Sequence, residues 1–220
     1  MEIIAEIHTD YPEKFGIPKQ AGIVADSVGT IRFCGKYNVN EAVKGLENYD
    51  YIWILWQFDA PENDNFTPTV RPPVLGGNKY EGVFATRSPN RPNHIGMSSV
   101  RLKSVELTEK GPVLTVLGAD MRDGTKIYDI KPYIPRDIHE ISRHGIATDG
   151  GHRHLEIQNP DLLWEKCEEY ANIIAKILQN DPRPAFHKDS DRIYGVKYAK
   201  FNIKFTVKEN TLTVAAVEIL

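Results

Sequence analysis

The sequence predicts a mainly β protein, with an antiparallel sheet or barrel in the first part of the chain and a small α+β unit after it. Three observations carry this prediction. Up to about residue 135, β-branched and aromatic runs recur between Gly, Pro, Asn and Asp breaks. From 145 to 160, GIATDGGHRHLEIQNP has no hydrophobic period and contains a Gly pair, which marks a linker. Beyond it, one helical period precedes two alternating strands. The chain therefore divides into a first domain over 1–145 and a second over 155–220.

The predicted strands are IIAEI, GIVAD, TIRF, YIWILWQF, GVFAT, SSVRLKSVEL and PVLTVLGA. YIWILWQF is apolar on both faces, which predicts a central strand. A short helix is expected from Asn40 as N-cap through Leu46, with Ala42, Val43 and Leu46 inward. After the linker, Asn159 caps a helix that has Pro160 at its first position. Leu163, Cys167, Tyr170, Ile174 and Ile177 recur at helical spacing until Asn180-Asp181-Pro182 ends it. Phe201, Ile203, Phe205 and Val207 then alternate with polar residues, and Glu209-Asn210 turns the chain into TLTVAAVEI.

The 220 residues can bury a substantial core without staples. Cys34 and Cys167 lie far apart and read as reduced thiols of a cytoplasmic protein, neither nucleophile nor metal ligand. The N-terminus has no apolar signal core, and the longest apolar run is too short to span a bilayer. GxGxxG after a strand, GxxxxGK[ST], GxSxG and HExxH are all missing, so a nucleotide-like cofactor must bind by another route. His139, His144, His152 and His154 cluster in sequence, but they read as a solvated loop and no metal is expected.

Charge is concentrated. The chain holds 27 Lys+Arg against 30 Asp+Glu, a net charge of -3. From Asn65 to Val105, however, the only acid is Glu81, against Arg71, Lys79, Arg87, Arg91, Arg101 and Lys103. Within this stretch, GVFATRSPNRPNHIG sets Arg87 and Arg91 on a backbone stiffened by two prolines, an arrangement suited to holding an anion. Three further segments rich in turn formers read as loops beside it: KFGIPKQAG at 14–22, VRPPVLGGN at 70–78 and DMRDGTKIYDIKPYIP at 120–135.

Taken in order, IPKQ, KGLENYDYIWIL, VRPPVLGGN, GVFATRSPNRPNHIGMS and DGTKIYDIKPYIP resemble the TrmO (YaeB-like) tRNA methyltransferases, and DPRPAF with the final hairpin resembles their bacterial C-terminal domain. The resemblance implies a non-Rossmann β-barrel that methylates N6 of threonylcarbamoyladenosine beside the anticodon of a threonine tRNA. It also implies S-adenosyl-L-methionine as cofactor and a homodimer with the cofactor near the subunit interface. Cofactor contacts are implied at Pro18, Lys19, Gln20, Asp59, Ala60, Arg87 and Met97, and at Leu117, Gly118, Ala119 and Asp120. Arg91, Asn93, Lys131 and Tyr133 are then candidates for the tRNA anticodon loop.

The acceptor nitrogen must lose a proton, so a general base is useful. Asp129, Asp123 and His94 are the candidates, and the sequence does not choose among them. Four positions depart from the family pattern. Lys19 and Lys44 stand for arginines, Asp59 for a histidine and His94 for a proline. A second reading is therefore a non-catalytic RNA-binding protein of the same fold.

Overall fold

The computed structural model describes residues 1–58, 66–72, 79–143, 154–184 and 189–220. Its first part contains β1 (Ala5–Thr9), β2 (Val28–Phe33), β3 (Tyr51–Gln57), β4 (Thr69–Val70), β5 (Glu81–Gly82), β6 (Ile95–Thr108), β7 (Gly111–Leu117) and β8 (Thr125–Pro132). All but β4 and β5 close a barrel in the order β1-β2-β7-β6-β3-β8, with every neighbouring pair antiparallel. Alternate residues point inward, so Ile7, Ile31, Ile52, Ile54, Val100, Leu114, Val116 and Ile127 meet in one core.

The antiparallel wiring sorts the connections. β1, β3 and β7 end, and β2, β6 and β8 begin, at the same rim. The three connections 10–27, 58–94 and 118–124 therefore all emerge at one mouth.

The second part is a four-stranded sheet of β9 (Glu156–Gln158), β10 (Tyr194–Tyr198), β11 (Phe201–Lys208) and β12 (Thr211–Ile219), in the order β10-β11-β12-β9. Helices α1 (Asp161–Cys167) and α2 (Ala171–Gln179) bury Leu163, Cys167, Ile174 and Ile177 against Val196, Phe201, Phe205 and Val214. Tyr11 and Val24 are buried in this same second core, with Phe15, Ile17 and Ile23 packed against it. Ala199 N–H donates to Asp10 O at 2.8 Å, Lys197 pairs with Glu13 at 2.9 Å, and Lys176 pairs with Asp26.

Several elements differ from the sequence expectation. The largest difference is β8, which lies in a segment expected to be a loop yet closes the barrel between β3 and β1. Its outward positions are polar, and Pro and Gly flank it, so its apolar alternation is weak. GIVAD is a turn rather than a strand, because Gly22 is bonded to Gly118 and Ser27 N–H donates to Val24 O at 3.1 Å. GVFAT contributes β5 and a 3-10 turn, Val83–Ala85. The helix expected over 40–46 is two 3-10 turns, Asn40–Val43 and Leu46–Asn48, interrupted by left-handed Gly45; Val43 is buried but Ala42 is exposed. The helix expected after Pro160 breaks at Glu168, whose φ is 50°, into α1, a 3-10 turn and α2. Asn159 donates to Val214 O instead of capping, and β9 lies within the expected linker.

DPRPAF has a packing role at its start. Arg183 is 6% exposed and binds Asp181 through Nε at 2.8 Å and Nη2 at 2.9 Å. Losing the carboxylate charge leaves a buried cation unpaired. Asp181→Asn keeps a residue that tolerates the positive φ of 46°. It should lower unfolding free energy by about 3 kcal/mol, read as a lower urea midpoint.

Candidate active site

The mouth of the barrel gathers Pro18, Lys19, Gln20, Arg87 and residues 117–120 of the predicted cofactor set from three separate segments, and Met97 is not among them. The first connection carries Pro18, Lys19 and Gln20, and backbone bonds clamp it to the end of β7. Gly22 N–H donates to Gly118 O at 2.9 Å, and Gly118 N–H donates to Ser27 O at 2.8 Å. Gly118 has φ 77°, and a Cβ there would lie 3.1 Å from the Gly22 backbone, so both conformation and clearance require glycine. The second connection reaches across to the first, with Arg87 Nη1 donating to Gln20 Oε1. Leu117, Ala119 and Asp120 complete the rim, with Ala119 fully buried.

Beneath the rim runs a short polar chain. Trp56 Nε1 donates to Ser98 Oγ at 3.0 Å, and Ser98 Oγ donates to Asp120 Oδ1 at 2.6 Å. Gly96 permits it, since a Cβ there would sit 2.3 Å from the Trp56 ring. Burial pushes the Asp120 carboxyl above the usual carboxylate range. The Ser98 hydrogen bond, bonds from its own and the Ala21 backbone, and the Arg87 charge oppose that rise. The mouth therefore holds a cation and a desolvated anion on opposing segments, the arrangement needed for a zwitterionic ligand.

The remaining candidates occupy three places. Arg91 Nη1 donates to Thr86 O and Ser88 O at 3.2 and 2.9 Å, so Arg91 braces the 86–91 turn; Asn93 is exposed at its end. His94 has φ 47° and its Nδ1 faces Pro89 O at 3.3 Å, which makes it a turn residue. Asp123 Oδ1 accepts from Thr9 N–H at 3.1 Å and lies 3.2 Å from His8 Nδ1, facing a cleft with Asp10 and Glu169 between the two units. Met97, Asp129, Lys131 and Tyr133 lie on the outer wall of β6, β3 and β8. Leu55 faces Met97 and Asp129, while Trp53 faces Lys131. Asp129 pairs with Lys131 at 2.9 Å, and the Tyr133 ring packs on Trp53 and Tyr51 at 5.5 and 6.3 Å. From Tyr51 to Gln57 the strand rises roughly 20 Å, so Lys131 and Tyr133 are not gathered at the mouth.

Asp59, Ala60, His144 and His152 lie outside the described residues. Among the described residues no group of three or more His, Cys, Asp or Glu could hold a metal ion. Sequence reasoning missed Trp56 and Ser98. The available signal was Ser98 itself, a hydroxyl at an inward register position between Gly96 and Val100.

A carboxyl raised by burial binds its proton more readily folded than unfolded, so it costs stability above the raised value and none below the unfolded one. Asp120→Asn should therefore raise the urea midpoint at about pH 7, and the gain should shrink toward about pH 4 as wild-type Asp120 takes up its proton.

Comparisons with known proteins agree with this fold. The family model described as the tRNA-methyltransferase O N-terminal domain matches residues 6–137, and the TrmO C-terminal domain model matches 154–219. The chain is 37% identical to the tRNA (adenine(37)-N6)-methyltransferase of Escherichia coli, over 99% of this chain and 97% of that one. It is also 37% identical, over 88% of this chain and 86% of the other, to a Pseudomonas aeruginosa protein named as an S-adenosylmethionine-dependent methyltransferase. A crystal structure of TrmO from P. aeruginosa superposes with a TM-score of 0.77 at 30% identity, covering 99% of this chain and 95% of that one.

Proposed function

From the chain's membership of the tRNA-methyltransferase O family, to which it belongs by both domains and over its full length, we propose a specific reaction. The protein transfers a methyl group from S-adenosylmethionine to N6 of threonylcarbamoyladenosine beside the anticodon of a threonine tRNA. The observation that carries this reading is the convergence of Gln20, Arg87 and Asp120 on one mouth. A seat for a charged small molecule thus opens beside the chain's most basic stretch.

The residues present fit the cofactor by charge and polarity. Arg87 suits its carboxylate, the partly desolvated Asp120 suits its cationic groups, and the backbone of 117–119 with Gln20 suits an adenine edge. When bound, S-adenosylmethionine supplies a methyl group activated by a sulfonium. The chain's own contribution is positioning and exclusion of water. Gly118 and Gly22 fix the rim, Arg87 and Gln20 bridge it, and the Trp56–Ser98 pair holds the Asp120 carboxylate in place.

Asp120, its pKa raised by burial, is bonded to Ser98 and assigned to the cofactor, so the candidates to take the N6 proton stay Asp123, Asp129 and His94. Asp123 is engaged by Thr9 and His8, Asp129 by Lys131, and His94 by its turn. Cys34 and Cys167 are both free, which suits the reducing cytoplasm, and no helix among the described residues is long and apolar enough to cross a membrane.

The homodimer implied by the resemblance has a candidate face in the outer wall of β3, β6 and β8. Tyr51 and Met97 are exposed there beside Trp53, Leu55 and Tyr133. On this reading the wild type sediments as a dimer, and Tyr51→Glu shifts it toward monomer at micromolar concentration.

Isothermal titration with S-adenosylmethionine should give saturable binding, weakened about tenfold or more in Arg87→Ala through loss of a charged hydrogen bond. Methylation should then appear on threonine tRNA carrying the threonylcarbamoyl group and be absent on the same tRNA without it. Equal turnover on both would sink the substrate assignment, and RNA binding without cofactor binding would favour a non-catalytic protein.

A further inference from the structure

The β4–β5 hairpin at the edge of the mouth carries an unusual surface. Thr69 pairs with Gly82 and Val70 with Glu81, and Val83 N–H donates to Pro68 O at 2.9 Å. Val83 and Pro72 are buried and anchor the hairpin. The large rings face outward instead. Phe66 is 56% exposed, Tyr80 58% and Phe84 73%. Phe66 and Phe84 stack on one another at 6.3 Å with planes 25° apart. Arg71 lies over the Tyr80 ring at 4.6 Å and also donates to its hydroxyl. From Phe84 the chain passes through Thr86, whose Oγ1 donates to Val83 O at 2.9 Å, to Arg87 at the cofactor seat. Three exposed rings and an arginine thus form a shelf that leads into the site.

Exposed aromatic surface of this kind is costly unless something covers it. Among the described residues from 66 to 94 the charge is one-sided, since Arg71, Lys79, Arg87 and Arg91 stand against one acid, Glu81. A second copy of this chain docking symmetrically here would set Arg71 and Lys79 against their own copies, which like-charge repulsion opposes. A single-stranded RNA meets both requirements, with phosphates for the cations and base faces for the rings.

We propose that Phe66, Tyr80 and Phe84 form a stacking shelf for the nucleotides that flank the acceptor adenosine, so that the neighbouring bases are held while the acceptor enters the mouth. This rests on the tRNA methyltransferase reading given above. The shelf is a positioning surface, distinct from the residues assigned to the cofactor.

The test uses the full-length protein, tRNA, and an anticodon stem-loop RNA carrying 2-aminopurine beside the acceptor adenosine. Phe84→Leu keeps apolar bulk and removes the ring. It should raise the KM for tRNA by about tenfold, the scale of one lost base–ring stack, and abolish quenching of 2-aminopurine. S-adenosylmethionine affinity, read by calorimetry, should stay at the wild-type value, and Phe84→Trp should restore both KM and quenching. Wild-type KM and quenching in both Phe84→Leu and Phe66→Leu overturn the shelf, as does a Phe84→Trp variant as impaired as Phe84→Leu. A changed sedimentation coefficient with unchanged KM makes the patch a subunit contact and also overturns it. A wild-type protein that methylates no tRNA removes the functional reading itself, a result separable from failure of the shelf alone.

Discussion

Between β1 and β2 the chain leaves the barrel, buries Tyr11 and Val24 in the core of the second unit, and returns to Gly118 before re-entering the sheet. The site depends on this excursion. Lys19 and Gln20 ride on a segment whose apolar side belongs to one core and whose backbone is bonded to the rim of the other. Ile17, Pro18 and Lys19 line a groove with Ile177, Asn180 and Pro182, so the second unit is the back wall of the loop that carries Lys19 and Gln20. A loop rich in Gly and Pro would otherwise sample many conformations. Here the entropy of fixing it is offset by burial of Phe15, Ile17, Ile23 and Val24 rather than by contacts with a ligand.

The chemistry at the mouth runs against stability. Asp120 is held partly out of water, compensated by the Ser98 hydrogen bond, bonds from its own and the Ala21 backbone, and the Arg87 charge. The Trp56 indole and the Ser98 hydroxyl occupy inward barrel positions that isoleucine or valine would fill more favourably. Hydrogen-bonded to one another, these groups hold the Asp120 carboxyl at the rim of the barrel. That pattern is expected where a site must be organised before its ligand arrives.

Much of this was legible in the chain. YIWILWQF and PVLTVLGA alternate or run apolar because barrel strands have one dry face, and both became strands. The second unit was equally visible in the helical spacing from Leu163 to Ile177 and in the alternation from Phe201 to Val207. β8 was hidden, since only Ile127 among its residues is fully buried and Tyr128, Asp129 and Lys131 look like loop chemistry when no partner strand is known. GIVAD misled for the opposite reason. Val24 is buried and Ile23 half-buried, but in a turn that serves the second core, and a local period cannot report which core a residue joins. At the site, Arg87 and Gln20 come from motifs far apart in sequence, and nothing local announces that they touch. Ser98 was readable only once the register of β6 against β3 was known.

Two aromatic surfaces remain outside both cores, and their charges separate them. The outer wall around Tyr51, Trp53 and Tyr133 carries charges of both signs. Lys131 is matched by Asp129, and Trp53 Nε1 donates to Asp137, whose carboxyl this bond holds below its usual range. Arg101 also stands exposed on this wall, opposite Tyr51. The hairpin by the mouth has no such balance, because the cations of the 66–105 stretch outnumber Glu81 and no described acid pairs with Arg71 or Arg87. Surface of mixed charge with exposed aromatic rings suits a second subunit; cationic, ring-bearing surface beside the mouth suits a polyanion with planar bases. On the function proposed above, a subunit contact on the wall of β3, β6 and β8 leaves the rings and cations of the hairpin free for RNA.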